Sequence, residues 1–103
     1  MIDSARHQWQ DGARRLQAGA ADRRRYAQLV DLVDVVRDEL RKRLGQRFTL
    51  AELVEVHARA EDWARELVIA SLPPEPHVGL GDVTLVVDAA FAAFARGAVD
   101  YVP

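Results

Sequence analysis

Residues 44–53, LGQRFTLAEL, contain the end of one helix and the start of the next. Thr49 and Glu52 have the spacing of a capping box, in which the threonine hydroxyl accepts from a first-turn amide and the glutamate accepts from the Thr49 amide. On the other side of the link, Gly45 stands where helices commonly end in a left-handed residue. The stretch therefore predicts two helices joined by residues 45–48.

The sequence on both sides of this link has helical periodicity. Upstream, apolar residues recur at three- and four-residue spacing over residues 23–44, and Asp22 is placed to cap that helix. Downstream, the pattern predicts one uninterrupted helix over residues 50–72, which Pro73 and Pro74 end. Since the link is short, we expect the two helices to form an antiparallel hairpin.

Two further helices complete the predicted fold. Residues 83–96 follow the proline- and glycine-rich loop 73–81 and form a helix capped by Asp82. Residues 4–18 form a weaker helix, and continuity between it and the helix over 23–44 is left open. The expected fold class is all-α, a small three- to four-helix bundle around an antiparallel helical hairpin, with residues 1–103 as a single domain.

Composition excludes several classes of protein. The 103 residues contain no cysteine, which rules out a disulfide framework and a thiolate metal site. The formal net charge of −2 argues against a bulk polyanion binder. Apolar runs are too short for a membrane span and there is no signal-peptide core, so we expect a cytoplasmic protein without membrane contact.

The histidines offer the only argument for catalysis. His57 and Glu61 are four residues apart on one helical face, a spacing that can place two ligands on one metal ion. A hydrogen bond between these two side chains at a helix interface explains the spacing more simply. We therefore expect no enzymatic activity, no cofactor, no metal and no small-molecule substrate.

Charge is distributed unevenly along the chain. Residues 1–25 carry six arginines against three aspartates, whereas residues 72–103 carry a net charge of −3. Positive side chains in the first turn of a helix oppose its dipole, so Asp22, an acidic partner surface or phosphate could compensate them. A solvated run of charge is the commoner explanation of such a cluster. The members of this predicted charged patch are Arg14, Arg15, Arg23, Arg24 and Arg25.

The stretch 44–53 also resembles the first part of a helix-turn-helix. That motif needs a turn about seven residues after the cap and then a recognition helix. Here the apolar pattern continues through Leu67, and no proline or glycine occurs before Pro73. We therefore do not expect a helix-turn-helix DNA reader.

The helix over residues 83–96 is apolar on nearly all sides, with Asp88 and Arg96 as its only charged side chains. Such a helix is either the central core helix or one whose second face meets another chain. The second alternative predicts an interface for a partner protein or a homodimer, supplemented from residues 50–72. Its predicted members are Val56, Trp63, Leu85, Ala89, Ala92 and Ala93.

The stretch from about Tyr26 onward resembles short all-helical proteins of high-GC actinobacteria, a group without a named activity. The likeness lies in FTLAEL at 48–53, WARE at 63–66, DAAF at 88–91 and ARGAVDY at 95–101. It implies an intracellular bacterial protein and transfers no functional residue. The expected function is a non-catalytic interaction or regulatory subunit, and the alternative is a nucleic-acid accessory protein using the arginine cluster.

Overall fold

The computed structural model describes residues 2–98, apart from the side chains of Ile2 and Glu61. Within that range the chain is helical, without strands, so the all-α prediction is confirmed. Five α-helices and one 3-10 turn follow each other along the chain: α1 (Ile2–Ala18), α2 (Arg23–Leu44), α3 (Leu50–Ala58), α4 (Ala60–Ala70), the 3-10 turn (Leu80–Asp82) and α5 (Val83–Ala95).

The predicted helix ends around the link are confirmed. Thr49 Oγ1 accepts from the Glu52 amide at 3.2 Å, and Glu52 Oε1 accepts from the Thr49 amide at 3.0 Å. Asp22 accepts from the Arg25 amide and caps α2, while Gly45 has a φ of 75° at its other end. Helices α1 and α2 are separate, because turns occupy residues 19–22 between them.

The prediction of one uninterrupted helix over residues 50–72 is wrong. Helix α3 ends at Ala58 and α4 begins at Ala60, with Arg59 between them at φ −106° and ψ 5°. The Arg59 amide donates to the Val56 carbonyl, three residues back, so the last turn tightens and the next helix starts anew. No proline or glycine marks this break in the sequence.

Helix α5 lies at the centre of the fold. It packs mainly against α1 and α2 and also touches α3 and α4. Within it only Thr84 is exposed, and Val86, Ala90 and Phe91 are completely buried. The alternative in which α5 is the core helix therefore accounts for most of its apolar surface.

The prediction that Asp82 caps α5 through its side chain is wrong. Its carboxylate instead accepts from the Gly79 amide at 3.0 Å and pairs with Arg25 Nη2 at 2.7 Å. It therefore closes the 3-10 turn and binds that turn to the start of α2.

No helix in the described range is both long and apolar enough to cross a membrane.

The loop before the 3-10 turn is held to α2 by one side chain. Gln28 Nε2 donates to the Glu75 carbonyl at 3.0 Å, and its Oε1 accepts from the His77 amide at 2.6 Å. Val78 then inserts into the core with 5% of its surface exposed. These contacts fix the path of the chain between α4 and α5.

Candidate functional site

The structure divides the predicted arginine cluster. Arg14 and Arg15 both contact Asp11, one turn earlier on α1, and Arg25 is bound to Asp82. Arg23 and Arg24 are exposed at the start of α2. Three of the five positive charges therefore already have a carboxylate beside them.

A different set of arginines meets in a groove between α1 and α5. Arg6 and Arg14 stand on α1, and Arg96 follows the last turn of α5. We call this feature, of about 390 Å³, the basic groove. Its lining contains no carboxylate and consists of Arg6, Trp9, Gln10, Ala13, Arg14, Ala92, Ala95 and Arg96.

The floor of the basic groove is apolar because α1 and α5 pack closely. Trp9 is completely buried, and its ring centroid lies 5.4 Å from that of Phe91. Gly12 permits the approach of the helices, since a Cβ there would lie 2.5 Å from the Cβ of Asp88. Alanines on both helices are only partly covered and complete the floor. The groove thus combines an apolar base with three cations at its edges.

The arginines of the basic groove have few ion-pair partners within the protein. Neither Arg6 nor Arg96 forms an ion pair within residues 2–98. Arg14 has only a long contact of 3.4 Å to Asp11, and its side chain is 76% exposed. Such a contact contributes little at a surface, so all three guanidinium groups are available to an anionic group.

The structure does not gather the predicted interface residues into one cleft. Ala92 lines the basic groove, whereas Ala93 faces a cleft beside α2 and Leu85 faces a third cleft near Asp11. Ala89 is 7% exposed and offers almost no surface to a partner.

The remaining predicted interface residues lie on α3 and α4. Val56 and Trp63 are both half-buried against the core. The guanidinium carbon of Arg43 lies 4.4 Å from the centroid of the Trp63 ring, a cation–π contact. This contact covers part of the indole, so Trp63 already has an intramolecular partner.

A further cleft surrounds His57, and we call it the His57 cleft. It has a volume of about 610 Å³. The Nε2 of His57 lies 3.3 Å from Asp88 Oδ1, and Gln8 Nε2 donates to the same oxygen at 3.3 Å. The lining consists of Gln8, His57, Ala58, Arg65, Leu80, Val83, Thr84, Val87 and Asp88.

The structure gives His57 a partner that the sequence did not indicate. Asp88 of α5, 31 residues away in sequence, contacts the imidazole, and the predicted bond to Glu61 stays a prediction. The side chain of Glu61 lies outside the described part of the chain. Trp9 and Phe91 hold the imidazole from two sides, with ring centroids 5.4 Å and 4.8 Å away.

Sequence reasoning missed Asp88 and Leu80 as site residues. Asp88 is the one carboxylate in an otherwise apolar stretch of α5, and this isolation was a usable signal. Leu80 is 60% exposed, the largest value among the large hydrophobic side chains of the described chain. Its position between two glycines gave no helical period from which to infer its exposure.

The described side chains form no group of three or more histidine, cysteine, aspartate or glutamate residues of the kind that holds a metal ion. No protein-family model, curated protein or solved structure matches the chain. The likeness to actinobacterial helical proteins stays a prediction. Function is therefore inferred from the basic groove and the His57 cleft.

Proposed function

We propose that this chain is a small non-catalytic interaction module, a regulatory subunit of the cytoplasm, that binds an acidic amphipathic segment of a partner protein. The observation that carries the proposal is the basic groove. It brings Arg6, Arg14 and Arg96 to the edge of an apolar floor without any carboxylate in the lining.

The shape and charge of the groove suit one class of ligand. An amphipathic helix binds by placing apolar side chains in a groove while its polar edge meets complementary charge at the rim. The floor at Ala13, Ala92 and Ala95 has room for an apolar side chain, and arginines bind carboxylates in a two-pronged geometry. The complementary segment therefore has an apolar stripe bordered by glutamate or aspartate.

Charge reversal tests the proposal without disturbing the core. The probe is a synthetic amphipathic helical peptide with a glutamate-rich edge, compared with the same peptide carrying lysine on that edge. Fluorescence anisotropy with the labelled peptides should show binding of the glutamate form, weakened by salt because exposed charges are screened. The triple variant Arg6→Glu, Arg14→Glu, Arg96→Glu should reverse the preference.

The matched control is Arg23→Glu with Arg24→Glu, which reverses exposed arginines outside the groove. This control should bind the glutamate peptide nearly as well as the unaltered chain. Equal loss in both variants would show attraction by overall charge only, and the proposal would fail. Equal binding of the glutamate and lysine peptides by the unaltered chain would also contradict the proposal.

A second copy of the chain is the alternative occupant of the basic groove. Light scattering of the unaltered chain and of Ala92→Glu distinguishes a homodimer through the groove from a hetero-complex. A dimer that Ala92→Glu dissociates into a folded monomer would replace the partner segment by a second copy. A monomer in both cases favours the hetero-complex.

The antiparallel hairpin belongs to the same proposal. Its support is the short link at residues 45–48 and the packing of α2 on α4. In this arrangement the hairpin would support α5 from the side opposite α1. The basic groove would then be the side of α5 left for a partner.

The alternative function is a nucleic-acid accessory role through Arg14, Arg15 and Arg23 to Arg25. It has less support, because Asp82 holds Arg25 at 2.7 Å in a partly buried pair and Arg15 lies 3.0 Å from Asp11. Titration with duplex DNA and with RNA at low salt tests it. Binding that disappears when the five arginines become alanine would favour this alternative, and absence of binding would reject it.

A further inference from the structure

The His57 cleft contains a charge that its surroundings only partly compensate. The Asp88 side chain is 9% exposed, so its carboxylate has lost most of its contact with water. Burying a carboxylate is costly unless a cation or several hydrogen bonds replace the water. Asp88 is therefore the group in this cleft from which a ligand would gain most.

The two described partners of Asp88 both use the same oxygen. Gln8 and His57 lie 3.3 Å from Oδ1, a long distance for a charge-assisted hydrogen bond. Within the described range Oδ2 has no hydrogen-bond partner, and neither partner of Oδ1 is a permanent cation. Arg15, which lines a neighbouring cleft with Asp88, is bound to Asp11. Arg65 lines the His57 cleft itself but forms no ion pair with Asp88. A position for a positively charged donor at Asp88 is therefore open.

The mouth of the His57 cleft, in contrast, is apolar. Leu80 is 60% exposed, and it lines the cleft together with Val83 and Val87. An exposed leucine beside a buried carboxylate matches a ligand that has an apolar body and one positive end. Thr84, exposed on α5 in the same lining, adds a hydroxyl that can accept from the donor.

We propose that the His57 cleft binds a small organic monocation, a protonated primary amine with an apolar body. The ammonium group donates to the Asp88 carboxylate, and the apolar body lies against Leu80. This site is separate from the basic groove and departs from the sequence-based expectation that the chain takes no small molecule.

Substitution of Arg65 tests whether the ligand carries a positive or a negative charge. Its side chain is exposed on α4 and lines the same cleft. A guanidinium at the rim repels a cation, although solvent screens this repulsion more than it screens the attraction of the buried Asp88. Arg65→Gln should therefore strengthen the binding of an amine, whereas it would weaken the binding of an anion.

The experiment uses three ligands of similar size: benzylamine, benzyl alcohol and benzoate. Isothermal titration and thermal shift should show binding of benzylamine alone. Fluorescence in a Trp63→Phe background gives a local readout, since the Trp9 ring centroid is 5.4 Å from that of His57.

Three variants accompany the ligands. Asp88→Asn should weaken the binding of benzylamine at least about tenfold, the loss expected for one charge-assisted hydrogen bond. Leu80→Ser alters an exposed side chain and should weaken benzylamine by roughly threefold to tenfold through lost apolar contact. Arg65→Gln should strengthen it by a few-fold.

Several results would overturn the proposal. They are absence of benzylamine binding by the folded chain at millimolar concentration, preference for benzoate, and weaker binding by Arg65→Gln. If Asp88→Asn does not fold, Leu80→Ser and Arg65→Gln decide the outcome, since both change exposed positions. Unchanged affinity in both of these variants would place the ligand elsewhere and reject the His57 cleft.

Discussion

Arg25 and Asp82 are 57 residues apart in sequence, yet Arg25 Nη2 lies 2.7 Å from Asp82 Oδ1. The pair joins the start of α2 to the 3-10 turn before α5, and both side chains are about three-quarters buried. It explains why an arginine is tolerated in the first turn of α2, where the helix dipole disfavours positive charge.

Arg25→Ala should lower the free energy of unfolding by about 1–2 kcal/mol, because it removes a short charge-assisted bond to a partly buried carboxylate. Arg23→Ala and Arg24→Ala are matched controls at exposed positions of the same turn. Each should change stability by at most about 0.5 kcal/mol, in the stabilising direction. Urea denaturation of the three variants checks this, and equal effects would contradict a special role for Arg25.

Thr49→Ala should cost about 1 kcal/mol, because the Glu52 amide loses its acceptor at the start of α3. Thr49→Ser keeps a hydroxyl at the same place and should stay within about 0.5 kcal/mol of the unaltered chain. Thermal and urea unfolding of both variants measure the difference. A serine variant as unstable as the alanine variant would show that the threonine methyl group, not the capping box, matters.

The parts of the fold that could be predicted are those determined by a few neighbouring residues. The capping box at Thr49, the cap at Asp22 and the end of α2 at Gly45, with its positive φ, depend on residues within one turn, so the sequence contains their cause. The break at Arg59 depends on how α3 and α4 pack against the rest of the chain. No local residue type indicates it, and the prediction of an unbroken helix failed there.

The break also bears on the helix-turn-helix interpretation. The sequence argues against the motif through its continuous apolar pattern, whereas the structure has two helices here. Their connection argues against the motif instead. A single residue, Arg59, joins the two helices, whereas a helix-turn-helix has a turn of three or four residues. In addition, α4 exposes the carboxylates Asp62 and Glu66, which oppose contact with phosphate.

The candidate sites were predictable only in part. The sequence suggested arginines and an apolar α5 as the surfaces of interest, and Arg14 and Ala92 do lie in the basic groove. Arg6 and Arg96 come from opposite ends of the chain, so no spacing rule brings them together. His57 was noticed, but its contact with Asp88 also depends on tertiary packing.

Gln28→Ala should release the loop between α4 and the 3-10 turn. Gln28 bonds the carbonyl of Glu75 and the amide of His77, and alanine removes both contacts. We expect the His77 amide to exchange with solvent about fivefold faster, since one lost hydrogen bond amounts to about 1 kcal/mol of local protection. Hydrogen exchange measures this directly.

The control for Gln28 is Gln46→Ala, at an exposed glutamine in the link between α2 and α3. It should leave exchange at His77 unchanged. If Gln28→Ala also left that exchange unchanged, then Val78 and the prolines alone would hold the loop. Faster exchange throughout the chain would indicate loss of global stability instead of a local release.

Gly12→Ala should destabilise the chain although alanine is the better helix former. In an unconstrained helix the substitution gains about 1 kcal/mol. Here the added Cβ would lie 2.5 Å from the Cβ of Asp88, so α1 and α5 must move apart. Overpacking of this kind costs about 1–3 kcal/mol, and we expect the cost to exceed the gain.

Gly79→Ala is the matched control for Gly12, because a Cβ at Gly79 would meet no atom within 4 Å. Its backbone has a φ of −100°, which alanine adopts freely, so this change should be neutral or stabilise by up to about 1 kcal/mol. Urea denaturation compares the two variants. A stabilised Gly12→Ala would mean that α1 does not approach α5 at Asp88, and both the basic groove and the His57 cleft would then need a different geometry.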